Sequence, residues 1–525
     1  MSDRRHWICL LILVILSLIG MAALWRSTPY GLGLVNDSAT YVEGATSLLA
    51  GNGYVRISGG GEVKPITHFP PLFSLVLAGL GFIGLDLVQG ARVVITILFG
   101  VDILLVGLSV LKISHSMGFA IFSALLLAVS DLHLGVFSYA LSEPLFLTLM
   151  LAAYLSLDRS IDHSHWSWSA LTGLLLGLAY LTRYAGVSLF VTVLLVIICL
   201  RPPKMLKRAG IMLAGALLPI FVWGVYGVLS GGSWSFGNRQ LLWHPVSWSS
   251  LFEALKNLLT WMAPNSLMAA GPIWGRALSL CSLLLLPGLF AWLVWAIWNR
   301  SKVAKQQAKL EGGFTLAFTQ ALHILVYLCF LGITLTFFDA STPLNDRILS
   351  VIYIPEMILF SSALAWLWNR FRGRMVVLRW FLAAFCLLLV GFSVTDGYAA
   401  VNQLGREGQG FAHRGIQDSA AIEAIRVTPP TIIYSNKPGA IFLLTGKPAY
   451  VAPTPIDPVT GQSRANFSND LTQMQQRVRD GQALLVLFGL RNSTDQDEVD
   501  LFTILADNLS VHADYGDIIV FGTSP

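Results

Sequence analysis

Long apolar runs separated by short polar segments make up roughly the first four hundred residues of the chain. A helix that crosses the hydrocarbon core of a bilayer needs about 17 to 25 mostly apolar residues. Runs near this length predict eleven membrane-spanning helices, at about 7–25, 91–111, 117–136, 144–157 with its flanks, 167–182, 184–200, 209–229, 274–298, 314–338, 348–368 and 376–398. The pattern is typical of an all-α polytopic membrane protein.

The stretch 70–85 is also apolar but differs from the eleven runs. It has only 16 residues, starts with Pro70-Pro71 and stops at Asp86. We therefore expect a short helix that lies in the membrane interface or dips into it, and not a twelfth span.

The pattern changes after residue 398. Short apolar runs at 431–435, 483–488 and 517–521 predict strands, and the segments 418–426, 470–480 and 497–508 have helical spacing. The sequence therefore predicts two parts. Residues 1–398 form a transmembrane module whose first outer loop, 26–90, carries interfacial helices, and residues 399–525 form a small extracytoplasmic α/β domain.

Composition supports a membrane protein. Of the 525 residues, 55% are apolar and 12% are charged, and the mean hydropathy is +0.67. Soluble globular chains carry about a quarter charged residues. A soluble enzyme, a disordered chain and a fibrous repeat therefore all fit poorly.

The net charge of +5 would suggest a nucleic-acid partner until the charges are placed along the chain. With eleven spans, 16 of the 34 Lys and Arg residues fall in short loops on one side, together with only four acids. Because cytoplasmic loops are enriched in Lys and Arg, this side is expected to be cytoplasmic. The N-terminus would then be cytoplasmic and the C-terminal part extracytoplasmic, in the plasma membrane, with no nucleic-acid surface. A twelfth span at 70–85 would put the clusters after Arg201, Arg300 and Arg370 opposite Arg4-Arg5.

The first outer loop holds an acid and a histidine. Asp37, in Asn36-Asp37-Ser38, leads into a helix with one apolar face, and His68 follows a glycine-rich turn. Two interfacial helices would hold both near the bilayer surface. Alternatively, Asp37 is only a helix N-cap, and a single interfacial histidine does not define a site.

Glu143 and Arg183 map to the same side of the membrane. Glu143 lies in Ser142-Glu143-Pro144, where a capping role would also suit the residue. Arg183 lies between two apolar runs with almost no polar loop around it, so it needs a partner.

Three further charged positions are less specific. Arg347 starts the tenth span, where a surface pair with Asp346 or Asp339 is the alternative. Asp131 and His133 could belong to the same outer cavity or pair structurally.

Together these segments resemble a known family. The resemblance rests on the Asp37 motif, His68-Phe69-Pro70-Pro71-Leu72, Ser142-Glu143-Pro144-Leu145-Phe146, Leu181-Thr182-Arg183, and Asp346-Arg347 before Tyr353-Ile354-Pro355. In their order and placement they resemble the GT-C superfamily of glycosyltransferases that use lipid-linked sugars. The branch is that of the protein mannosyltransferases and lipid A aminoarabinose transferases.

The resemblance implies transfer of a sugar from a polyprenyl phosphate, at the outer face, with inversion, to a glycan, lipid or protein acceptor. Asp37 would be the base, and Arg347, His68 and Arg183 would bind the donor phosphate. Glu143 would orient the acceptor and Tyr41 would position substrate.

No cofactor is required by the resemblance; a divalent metal, if used, would take Asp37 and Glu143. Many relatives have a second acid directly after the first, and Ser38 stands there instead.

Two other functions remain open from the sequence. A transporter or lipid flippase would show charges near span midpoints and an internal repeat; only Asp102 and Glu356 come near the first criterion, and we find no repeat. A non-catalytic sensor would bind a partner through residues 399–525.

Overall fold

A computed structural model describes residues 3–56, 64–163, 165–230, 241–303, 313–339, 342–371, 375–429, 431–457, 462–489 and 496–523. Of the basic residues that set the predicted orientation, Lys305, Lys309, Arg372 and Arg374 lie outside these ranges.

The first four hundred residues are helical almost throughout. The helices are α1 (Asp3–Ser27), α2 (Asn36–Leu49), α3 (Leu72–Phe82), α4 (Leu87–Ser114), α5 (Met117–Val129), α6 (Asp131–Phe137), α7 (Glu143–Asp162), α8 (Trp166–Thr182), α9 (Gly186–Leu200), α10 (Met205–Leu229), α11 (Trp248–Thr260), α12 (Asn265–Ala270), α13 (Pro272–Val303), α14 (Phe314–Phe337), α15 (Asp346–Arg370) and α16 (Val376–Glu407). Each of the eleven predicted apolar runs coincides with helix. The chain is a polytopic α-helical membrane protein.

The number of spans stays a prediction. Among the described residues, seven helices are long and apolar enough to cross a membrane, or eight if α5 and α6 form one broken span. This pair divides the predicted 117–136 helix with a bend of 58°. The break lies at Ser130, whose backbone is extended and whose Oγ accepts the His133 N–H. A serine that caps a new helix in this way ends the preceding one.

The short helix predicted at 70–85 is confirmed. It is α3, with 11 residues, which rise about 17 Å at 1.5 Å per residue, far less than the hydrocarbon core of about 30 Å. It packs beside α2, and the two helices flank a short antiparallel pair, β1 (Val55–Arg56) with β2 (Lys64–Pro65).

Two glycines bring α8 and α10 into close contact. A Cβ atom added at Gly173 would lie 2.3 Å from the Met212 carbonyl oxygen, and one at Gly177 would lie 2.7 Å from that of Ala216. Small residues four apart are a common means of close helix packing in membranes.

The C-terminal residues form a mixed sheet with helices. Its elements are α17 (Arg414–Gln417), α18 (Ala420–Val427), β3 (Ile432–Ser435), α19 (Pro438–Thr445), β4 (Tyr450–Val451), α20 (Phe467–Arg479), β5 (Ala483–Phe488), α21 (Gln496–Ala506), β6 (Val511–Asp514) and β7 (Ile518–Phe521). The strand order is β4-β3-β5-β7-β6, with β3 parallel to both neighbours and the other pairs antiparallel. We call residues 408–523 the tail.

The three predicted strands are β3, β5 and β7, and the three predicted helices are α18, α20 and α21. The division predicted at 398/399 falls inside α16, which continues to Glu407. The division of the chain into two domains therefore remains a prediction.

Gly173→Ala is expected to destabilise the protein by about 1–3 kcal/mol, because the methyl group overpacks the α8–α10 contact. This outweighs the helix propensity gain of about 1 kcal/mol for alanine over glycine. Thermal unfolding in detergent measures the change. Gly391→Ala in α16, where an added Cβ meets no atom within 4 Å, is the matched control; equal midpoints for the two variants would contradict the packing argument.

Candidate active site

Asp37 lies in the first turn of α2, and its side chain extends away from the helix to Arg347. Val35, just before the helix, is extended, and its N–H donates to Ser38 Oγ at 3.1 Å. Val35 is therefore the N-cap residue and Asp37 lies inside the first turn, so the N-cap alternative for Asp37 is wrong. A carboxylate in the first helical turn is also favoured by the positive end of the helix dipole.

Arg347 reaches Asp37 from the start of α15. Its Nη2 donates to Asp37 Oδ2 at 2.5 Å, and its Nε donates to Glu143 Oε1. The alternative of a surface pair with Asp346 is contradicted, because Asp346 accepts a hydrogen bond from the Tyr353 hydroxyl at 3.1 Å. Asp346 is thus turned away from the guanidinium beside it.

Glu143 joins the two arginines. Its Oε1 lies 2.6 Å from Arg183 Nη1 and also accepts from Arg347. The partner that the sequence required for Arg183 is therefore Glu143. Pro144 lies in the first turn of α7, where its missing N–H costs no helical hydrogen bond. The Glu143 carboxylate spans two guanidinium groups, and it makes no cap for α7.

These four side chains alternate in charge, and we call Asp37–Arg347–Glu143–Arg183 the ion-pair chain. The Glu143 side chain is only 2% exposed, whereas those of Asp37 and Arg347 are 28% and 27% exposed. Solvent therefore reaches the ion-pair chain at its Asp37–Arg347 end. Glu143 Oε2 is buried and receives no hydrogen bond from the described residues.

Tyr41 ties α2 to this cluster. Its hydroxyl shares a hydrogen bond of 2.8 Å with Ser142 Oγ, which also accepts from Arg183 Nη1 at 3.3 Å. The ring packs on Phe69 and Phe73. Burial raises the pKa of the Tyr41 phenol well above its usual value, so it stays neutral. The structure thus shows Tyr41 fixing α2 against α7; its contact with substrate remains a prediction.

The aromatic ring of Phe69 connects His68 to Tyr41. Its imidazole stands edge-to-face on Phe69 with ring centres 5.0 Å apart, and Phe69 packs on Tyr41. The Tyr184 hydroxyl donates to the Thr67 carbonyl at 2.7 Å. The segment that carries His68 is therefore held against the turn between α8 and α9, next to Arg183.

Asp131 and His133 line a different cavity. Ser130 Oγ bonds His133 Nδ1 at 2.9 Å, and Asp131 Oδ2 accepts from Asn265 at 3.2 Å. In these two hydrogen bonds, Asp131 and His133 are each bonded to another residue and not to each other. The cavity, which Trp261 also lines, has a volume of about 60 Å³, which is large enough to hold water.

The two carboxylates predicted near span midpoints, Asp102 and Glu356, are bonded to neighbouring segments. Asp102 accepts from the Thr148 hydroxyl at 2.6 Å, and Glu356 accepts from the Trp261 indole N–H at 2.6 Å. Hydrogen bonds of this kind hold helices together in membranes. They give the transporter alternative no specific support.

The described residues do not fit a divalent cation. Arg347 occupies the space between Asp37 and Glu143, and its positive charge would repel a cation bridging these carboxylates. No group of three or more His, Cys, Asp and Glu residues within the described ranges is arranged to hold a metal ion.

Ser142 belongs to the site, although it was not among the predicted site residues. Its hydroxyl joins Tyr41 to Arg183, a role that its position next to Glu143 could have suggested. Tyr184 gave no sequence signal, because its bond to Thr67 depends on a contact 117 residues distant in the chain.

Glu143→Gln is expected to cost far more stability than Asp37→Asn. Removing a buried charge that pairs with two arginines typically costs about 3–5 kcal/mol, whereas the partly exposed Asp37 pair falls nearer the range of about 0–1 kcal/mol for exposed pairs. Thermal unfolding of the two neutral isosteres in detergent measures the difference. A larger loss for Asp37→Asn would contradict this assignment of the buried centre.

Comparison with solved structures gives the fold. No protein-family model and no curated protein sequence matches the chain. ArnT from Cupriavidus metallidurans in the apo state has a TM-score of 0.59 at 13% identity, and the match covers 99% of this chain and 98% of ArnT. ArnT bound to undecaprenyl phosphate gives a TM-score of 0.55 at 13% identity, covering 97% of each chain.

A mutant of the mycobacterial arabinofuranosyltransferase AftD matches as well. The TM-score is 0.54 at 14% identity, and the match covers 99% of this chain but 42% of AftD. ArnT and AftD are GT-C glycosyltransferases. The chain therefore has the GT-C fold of these membrane glycosyltransferases, as its motifs predicted.

Proposed function

We propose that this protein is a glycosyltransferase that moves a sugar from a polyprenyl phosphate to an acceptor, with inversion at the anomeric carbon. The observation that carries the proposal is the ion-pair chain, which places a partly exposed carboxylate beside a guanidinium at the rim of a buried cluster. This is the pairing that the reaction needs: a base for the acceptor and a cation for the leaving phosphate.

In this reaction the acceptor oxygen or nitrogen attacks the anomeric carbon. The new glycosidic bond forms while the bond from that carbon to the phosphate oxygen breaks. The acceptor proton passes to the Asp37 carboxylate, and polyprenyl phosphate leaves with its new negative charge next to Arg347 and Arg183. One displacement with no covalent enzyme intermediate inverts the anomeric centre.

Arg347 has to exchange partners for this step. Its bond to Asp37 lies at the exposed end of the ion-pair chain, and its bond to Glu143 lies at the buried end. The bonds use Nε and Nη2 and leave the Nη1 donors for another anion. A donor phosphate that takes over the outer side of Arg347 would release Asp37 to act as the base.

Glu143 and His68 have supporting roles in this proposal. The unbonded Oε2 of Glu143 would accept a hydroxyl of the acceptor or the sugar, since a buried acceptor gains by finding a donor. His68 would contact the donor phosphate from the loop that carries Phe69. The acceptor would be a glycan, a lipid or a protein at the extracytoplasmic face of the plasma membrane.

The solved structures support the class of donor. One ArnT structure is described as bound to undecaprenyl phosphate, and the match covers nearly all of both chains. The lipid part of such a donor would lie against the apolar surface of the bundle, with its phosphate at the ion-pair chain.

Asp37→Asn is expected to lower kcat by about 10²- to 10⁴-fold, the usual contribution of general base catalysis. The binding of undecaprenyl phosphate, measured by tryptophan fluorescence, should persist because Arg347 and Arg183 remain. Turnover is measured with a panel of undecaprenyl-phosphate-linked radiolabelled sugars and a total envelope extract as acceptor.

Asp86→Asn is the matched control for this experiment. Asp86 caps α4 by accepting from the N–H groups of Val88 and Gln89, and asparagine caps as well as aspartate. Its activity should equal that of the unaltered protein. Full turnover by Asp37→Asn would rule out the base.

Arg347→Lys is expected to weaken undecaprenyl phosphate binding and to lower kcat/KM by at least about tenfold. Lysine keeps the charge but loses the planar fork that bonds two anions at once. Arg464→Lys, at an exposed pair with Asp457 in the tail, is the control and should leave both quantities unchanged. Equal kcat/KM for the two lysine variants would contradict a phosphate role for Arg347.

A further inference from the structure

The tail touches α2 at its first turn, which carries Asp37. A Cβ atom added to Gly439 of α19 would lie 2.9 Å from Asn36 Oδ1 and 3.0 Å from the Ala39 Cβ. The Asn36 amide could rotate away from such a Cβ, but the Ala39 Cβ and the Asn36 Cα, which would lie 3.3 Å away, would have to give by a few tenths of an ångström. Glycine therefore favours this close approach of α19 to α2. Asn36 and Ala39 flank Asp37 on the same helical turn.

The tail holds α19 firmly. The helix follows β3 through Asn436, whose side chain donates to the Phe488 carbonyl at 2.9 Å and accepts from the Phe488 N–H at 3.0 Å. Ala440 and Ile441 of α19 are fully buried. The Asn436 bonds tie the start of the helix to the end of β5, so α19 is part of the sheet assembly.

The residues that lead into α2 are clamped as well. The Phe411 N–H donates to the Leu34 carbonyl at 2.7 Å, and the Gly33 N–H donates to the Ser138 carbonyl at 2.7 Å. The Ser138 hydroxyl in turn donates to Gln409 Oε1 at 2.5 Å. The start of α2 is thus fixed between the α6–α7 turn and the first residues of the tail.

The two sides of α2 have different neighbours. Residues four apart lie on one helical face, so Asp37 and Tyr41 share the face that meets Arg347 and Ser142. Asn36 and Ala39 meet Gly439. A shift of α19 toward α2 would therefore move Asp37 relative to Arg347 directly.

We propose that the tail is a positioning element of the active site, in which α19, through Gly439, sets the location of Asp37. The inference rests on the proposed function of Asp37 as the base. A misplacement of about 1 Å in a catalytic group can cost about 10²-fold in rate. An added methyl group at 439 would require a shift of a few tenths of an ångström, which is therefore expected to cost severalfold. Gly439 is a positioning residue, since it acts through α2.

Gly439→Ala tests the inference, with Ala39→Gly as the rescuing change. Gly439→Ala should lower kcat by about three- to tenfold, while undecaprenyl phosphate binding and the thermal midpoint should stay close to those of the unaltered protein. Adding Ala39→Gly removes the facing methyl group and should restore most of the lost kcat relative to Ala39→Gly alone. A merely structural role of Gly439 would lower the thermal midpoint together with kcat.

Gly79→Ala in α3 is the matched control, because an added Cβ there meets no atom within 4 Å; its kcat should be unchanged. The contact itself is tested without any turnover by the pair Ala39→Cys and Gly439→Cys. Their Cβ atoms would lie 3.0 Å apart, which is within about half an ångström of the range of about 3.5–4.5 Å found in disulfides, so a small adjustment of α19 should allow oxidation to cross-link them.

Failure of the cross-link, an unchanged kcat for Gly439→Ala, or a loss that Ala39→Gly does not rescue would overturn the positioning role. The unaltered protein separates the two proposals. If it transfers sugar while Gly439→Ala keeps full kcat, only the positioning role is wrong; if it transfers no sugar, the proposed function is wrong and the positioning role falls with it.

Discussion

The buried charge of Glu143 is the constraint on which the rest of the site depends. A carboxylate that is only 2% exposed must be paired, because an isolated ion in a low-dielectric interior is strongly unfavourable. Two arginines meet this need, from the α8–α9 turn and from α15. Their convergence on one carboxylate fixes three parts of the bundle relative to each other, and Asp37 joins them from α2.

Neutral contacts surround this charged centre and make it rigid. Tyr41 and Ser142 share a hydrogen bond beside it, and Ser74 Oγ donates to the Tyr41 carbonyl at 2.9 Å, which ties α3 to α2. Tyr353 holds Asp346 away from Arg347. These neighbouring groups already have hydrogen-bond partners, so they do not separate the charged side chains from one another. The ion-pair chain therefore keeps its alternation of negative and positive side chains, with its exposed end at Asp37.

The sequence was sufficient for the apolar helices and for the four charged residues that meet in the ion-pair chain, because charge is scarce in this chain. A cation such as Arg183 inside apolar sequence demands a partner, but its identity depends on a contact 40 residues away, and the Asp37–Arg347 contact spans 310. The break at Ser130 was hidden because local capping interrupts a run that stays apolar on both sides. Strand β6 was missed because its burial pattern is mostly exposed, so its residues do not alternate as a half-buried strand would.

The neutrality of the ion-pair chain bears on the proposed chemistry. Two carboxylates and two guanidinium groups cancel, so a donor phosphodiester would bring one negative charge into the site. When the bond to the sugar breaks, the leaving phosphate gains a second negative charge, and Asp37 loses one by taking the acceptor proton. The total charge of the site is then the same before and after transfer. Creating net charge away from water is costly. The proposed base lies in the same ion-pair chain as the arginines that would bind the phosphate. The charge lost by Asp37 on proton transfer would therefore offset the charge gained by the departing phosphate.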